Sequence, residues 1–149
     1  MTAPAPPRAT YWRLWTDADG ISRQSRCEMT QFDLNSIGPP AEPQWLGVKS
    51  HHDATIFVTI LPVGWIGEWH ENPKPQWIIP LSGRWFVESM DGQKVELGAG
   101  DLSFGGDQGS IERDGRVGHR SGTVGGEPAV LMIVQIEAGA LPDPPCGFG

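Results

Sequence analysis

The stretch that decides the fold is Gly64-Trp65-Ile66-Gly67-Glu68-Trp69-His70-Glu71-Asn72-Pro73-Lys74-Pro75-Gln76-Trp77-Ile78-Ile79-Pro80-Leu81-Ser82-Gly83. Two strand-like runs, Trp65 to His70 and Trp77 to Leu81, flank a Pro-rich link, and Ser82-Gly83 supplies a turn into Arg84 to Met90. Alternate residues of a strand share a face. With His70 pointing inward, Glu68 points inward too, and so does Asn72 as far as the strand runs. Trp69 and Trp77 then face away from His70 and Gln76. Asn72 followed by Pro73 reads as a turn residue at a strand end.

The same grammar extends in both directions. Helical periodicity is absent. Tyr11 to Thr16 and Ile21 to Thr30 read as strands around the turn Asp17-Ala18-Asp19-Gly20. Ile37 to Pro43 carries too many prolines for a central strand. Ala54 to Leu61 is rich in β-branched residues. Asp91-Gly92 is a tight-hairpin signal, with Gln93 to Leu97 returning. Leu102 to Phe104 is short, and Val130 to Glu137 reads as a fully buried strand. Short strands at this spacing predict an all-β sandwich or barrel over residues 10–139, with flexible tails over 1–9 and 140–149.

Composition agrees. The chain has 149 residues, enough for one domain with a sizeable core, and its 20 Gly and 14 Pro are not periodic. The net charge of −7 disfavours nucleic acid and anionic membranes as partners. No stretch approaches the length of a transmembrane helix. Cys27 and Cys146 lie far apart with no secretory signal in view, which predicts free thiols and a cytoplasmic location. The adjacent His51, His52 and Asp53 read as surface residues.

Gly64, His70 five residues further on, and Gly83 stand in the register of the first cupin motif, and Gly100-Asp101 matches the opening of the second. Asn72 and Gln76 occupy the positions of the second His and the Glu. The chain resembles the cupin family, and in particular small bacterial cupins with Trp-His-x-x-Pro (Trp69, His70, Pro73), Gln76, Leu81-Ser82-Gly83 and Gly118-His119-Arg120-Ser121. The resemblance implies a single jelly-roll β-barrel, a homodimer that covers open sheet edges, with the N-terminal strand near Tyr11 to Trp15 packing on its partner, and His119 as the closing histidine. A Gly-rich insertion from Gly105 to Gly118 replaces the usual Pro-x-Gly, and Asp107 to Arg116 reads as a solvated loop or a lid.

Three function classes follow. In the first, His70, Gln76 and His119 hold a divalent metal (Fe, Mn, Ni or Zn) for oxygenase, isomerase or lyase chemistry. The neutral Gln76 replaces the carboxylate that usually balances such a charge. In the second, no metal is used and His70 is an acid or base with Glu68 or His119. In the third, the chain only binds a small ligand. Fold alone does not choose among them.

Overall fold

A computed structural model describes residues 5–48 and 53–148; His51 and His52 lie outside the described residues. The chain is all β. Its strands are β1 (Ala9–Thr16), β2 (Ser22–Met29), β3 (Phe32–Asn35), β4 (Gln44–Gly47), β5 (Ala54–Leu61), β6 (Gln76–Ser82), β7 (Arg84–Ser89), β8 (Lys94–Gly98), β9 (Ser103–Gly106), β10 (His119–Val124) and β11 (Ala129–Ile136). No helix of the described residues is long and apolar enough to cross a membrane.

A 6-stranded sheet runs β2-β1-β9-β6-β11-β5, and a 3-stranded sheet runs β10-β7-β8. Ile66 pairs with Gly122 and His70 with His119, so the segment 66–70 lies along the free edge of β10. From β5 onward the chain passes back and forth between the sheets, with β7 and β8 forming a hairpin in the small one, giving β5-β11-β6-β9 against 66–70, β10, β7 and β8. That order is the double Greek key of a jelly roll. The expected jelly-roll barrel is built from these two facing sheets. The segment Trp65 to His70, expected as a full strand, makes only isolated bridges. The Ile37 to Pro43 stretch forms the turn between β3 and β4, which pair with each other.

Glycines secure the close approaches. Gly83 has φ 72° and a Cβ there would lie 2.1 Å from the Pro128 carbonyl oxygen. Gly118 has φ 63° and a Cβ would fall 2.3 Å from the His70 carbonyl oxygen, so only glycine lets the His70–His119 bridge close.

The core lies between the sheets. Leu14, Ile78, Trp85, Val87, Leu97, Leu131 and Ile133 are buried there. Each such side chain contributes about 1.5–3 kcal/mol relative to exposure. β11 alternates buried and half-buried residues instead of being buried on both faces, because only one side of its sheet meets the other sheet.

A second apolar cluster lies on the outer face of the large sheet. Tyr11, Cys27, Met29, Phe104 and Phe148 form it, with Trp77 packed alongside. Residues expected as a flexible C-terminal tail cover this face. Phe148 is buried, the Arg13 guanidinium donates to the Pro142 carbonyl at 2.8 Å, and Cys27 forms a disulfide with Cys146. The expectation of free thiols is corrected by that bond, since β2 carries Cys27 to the outer face where the C-terminal segment crosses it. The ground for inferring a reducing compartment goes with it.

β1 is flanked on both sides, by β2 and β9, so its edges are already paired. The open edges of the large sheet belong to β2 and β5.

Candidate active site

One cavity of about 150 Å³ lies between the sheets. Apolar walls come from Leu61, Ile78, Trp85, Leu131 and Ile133. Asn72, Gln76, His119, Ser121 and Thr59 supply the polar groups. Phe57 completes the lining from the edge strand β5.

His119 opens β10 and is 5% exposed. Its Nδ1 lies 2.7 Å from Oδ2 of Asp107, and Asp107 is fully buried. The other carboxylate oxygen, Oδ1, accepts from the backbone N–H of Asn72 at 3.0 Å and from Asn72 Nδ2 at 2.9 Å. The chain of amides continues: Gln76 Nε2 donates to Asn72 Oδ1 at 2.7 Å, and Gln135 Nε2 donates to Gln76 Oε1 at 3.0 Å. Asn72 Oδ1 and Gln76 Oε1 each accept a bond, so these two amides are held in one orientation.

Burial alone would raise the Asp107 carboxyl. The hydrogen bonds from His119 Nδ1 and from the two Asn72 donors outweigh it and hold the group below the ordinary carboxylate value. Asp107 is therefore a carboxylate at neutral pH. It fixes His119 with the proton on Nδ1 and leaves Nε2 without a partner among the described residues.

Sequence reading placed Asn72 as a turn residue. It is 3% exposed and stands inside the network. Gly105 makes room for it, since a Cβ there would lie 2.4 Å from Asn72 Nδ2. Asp107 was read as part of a solvated loop or lid, and its full burial corrects that. It sits just past the end of β9, whose pairing with β6 carries it to His119. The only local signal was an acid directly after Gly105-Gly106, which no spacing rule marks.

His70 and His119 are antiparallel partners, joined by two backbone hydrogen bonds of 2.9 Å, and their ring centroids are 4.7 Å apart. His70 is nonetheless exposed and lies outside the lining of the cavity. Its Nδ1 donates to the Glu68 carbonyl at 2.7 Å. The Glu68 side chain is exposed. Trp69 faces away from the cavity and lies under Arg116 and Arg120 at 5.1 and 5.6 Å. Trp77 packs edge-on against Phe104 on the outer face, opposite to Gln76.

The strand order decides the architecture. This is a jelly roll of two facing sheets, the fold that the resemblance to cupins implies. No family model matches the sequence, and no curated protein matches it. Among solved structures, the chain is similar to a cupin-2 domain containing protein from Shewanella frigidimarina. The TM-score is 0.43, with 18% identity, covering 62% of this chain and 78% of that one.

The donor set can be tested against the metal such folds often hold. His119, with Nδ1 on Asp107, has only Nε2 to offer, Gln76 turns its oxygen to Gln135, and His70 stands outside the cavity. Among the described residues no three His, Cys, Asp or Glu side chains converge as a metal site. The residues His70, Gln76 and His119 do not fit a metal as they are arranged.

Proposed function

We propose that the chain binds a small uncharged molecule in the jelly-roll cavity and that His119, oriented by Asp107, exchanges a proton with it. The observation that carries this reading is the 2.7 Å contact between His119 Nδ1 and the buried Asp107 carboxylate, with His119 in the cavity wall. His119 Nε2 takes a proton from the bound molecule. The resulting imidazolium is paired with the Asp107 carboxylate, and the same proton is then returned to the molecule. Asn72 Nδ2 and Gln76 Nε2 each keep a second N–H, available to an oxygen that gains charge when the proton leaves. Isomerisation by proton transfer is the reaction class that needs no other group. Glu68 and His70 stand at the rim in this reading and do not take the proton.

A metal-holding alternative draws support from one observation, the adjacency of the His70 and His119 rings. The two readings separate in one experiment. Ring-sized molecules are screened for a rise in melting temperature, and hits are tested for turnover by protein stripped with a chelator. Turnover that survives stripping and falls about 100-fold or more in His119→Gln supports the proton reading. Turnover that needs added Fe, Mn, Ni or Zn, or a library with no stabilising member, overturns it.

A further inference from the structure

The outer face of the large sheet is apolar in two halves, and only one of them is covered. Over β1, β2 and β9 the C-terminal segment lies on it, with Phe148 packed against Tyr11, Trp77 and Phe104. Over β5, β11 and β6 the face is open. Phe57, Thr59, Leu61, Leu131 and Ile133 point inward to the cavity. Strand alternation therefore turns Ile56, Val58 and Ile60 of β5 outward, beside their cross-strand partners Val134, Met132 and Val130 of β11. Trp77 and Ile79 of β6 continue the first two rows, and Leu81 stands at the bulge beside Val130. No charged residue interrupts this grid. Ile56, Val58, Ile60 and Leu81 are 64, 53, 60 and 47% exposed, and the other five are half-buried.

An apolar sheet face is stable when another layer covers it. The largest apolar patch on a typical monomer is about 300–600 Å². Here four exposed side chains at roughly 100 Å² each, with five half-buried ones at roughly half that, offer about 650 Å². Two such faces stacked together bury about 1,300 Å², within the range of about 1,200–2,000 Å² for a stable protein–protein interface. We propose that this face binds a second copy of the chain, the two large sheets stacking face to face about a two-fold axis. The face presents no charge for a charged partner to recognise. A two-fold axis near Met132 sets the same three rows of side chains against themselves, which is what a self-complementary contact requires. Sheets stacked in this way lie about 10 Å apart with strand directions within about 30°. The N-terminal strand β1 has both edges paired within the chain and is not the contact. The cavity lies on the inner face of the same sheet, so the pairing stands apart from the chemistry proposed for His119.

Sedimentation equilibrium of the full chain tests this. The natural protein should sediment at twice its chain mass of 16.2 kDa at a concentration of about 10 μM. Val58→Glu places two unpaired charges in the symmetric contact and should weaken the dimer about 100-fold or more. Leu34→Glu, on β3 and equally exposed at 53%, should leave the dimer intact. Circular dichroism checks that Val58→Glu folds. If it does not, Ile60→Ser decides, since it only removes apolar area and should weaken the dimer about tenfold. A natural protein that is monomeric at about 100 μM overturns the proposal. So does a dimer that survives Val58→Glu, or one that Leu34→Glu disrupts equally. A monomer that floats with phosphatidylcholine vesicles, and no longer does so as Val58→Glu, assigns the face to a lipid surface and overturns the proposal as well.

Discussion

His119 and Asp107 form a buried pair, Nδ1 to Oδ2 at 2.7 Å, in which the carboxylate has no exposed surface at all. The pair joins the first residue of β10 to the residue just past the end of β9, and so ties the small sheet to the large one. Replacing Asp107 by Asn leaves a neutral amide that still accepts from Asn72 and no longer carries the charge opposite His119. The expected cost is about 1–3 kcal/mol of stability, read as a lower urea midpoint with unchanged slope.

The same carboxylate makes stability depend on acid. Its folded-state value lies below the ordinary 3.8, so the folded form resists a proton that the unfolded chain accepts. The contribution of Asp107 is fully present above the ordinary carboxylate range and is lost as pH falls through the lower folded value. Urea midpoints measured downward from pH 5 should therefore fall more steeply in the natural protein than in Asp107→Asn. Parallel curves would contradict this.

Gly105→Ala and Gly126→Ala form a matched pair. A Cβ at Gly105 meets the Asn72 amide at 2.4 Å, while nothing lies within 4 Å of one at Gly126. The first substitution should cost about 1–3 kcal/mol and displace Asn72 from Asp107. The second should change stability by less than about 0.5 kcal/mol.

Much of this was legible in the sequence. Ala54 to Leu61 announces itself by its β-branched residues and is the observed β5. The Asp91-Gly92 hairpin follows from turn chemistry, the two glycines from motif register, and the opposite faces of Trp77 and Gln76 from period-two alternation. Contacts between segments distant in the chain were not legible. Asp107 belongs to the site because β9 pairs with β6, and the C-terminal segment packs down because Arg13 and Cys27 wait for it on neighbouring strands. His70 shows the limit of register: the motif fixed its place beside His119, and the end of regular pairing at residue 70 leaves its ring at the rim.

The disulfide between Cys27 and Cys146 closes a loop with a sequence separation of 119. Cys146→Ser should lower stability by about 2–4 kcal/mol and expose the face of Tyr11, Trp77 and Phe104 to solvent. Unfolding midpoints with and without reductant should differ in the natural protein and coincide in the variant.

His70→Ala separates the rim from the cavity. Because His70 is exposed and outside the lining, the variant should bind a cavity ligand found by the melting-temperature screen within about twofold of the natural protein, in line with the small effects of surface substitutions. A tenfold loss would move His70 into the site.

The most direct test of the account is 15N NMR of histidine-labelled, chelator-treated protein, following the two ring nitrogens of His119 as a cavity ligand is added. The account predicts a neutral ring protonated at Nδ1, with Nε2 bare and shifting when the ligand binds, and with the Nδ1 preference lost in Asp107→Asn. A ring protonated at Nε2, or nitrogens that respond to added metal and ignore the ligand, would contradict it.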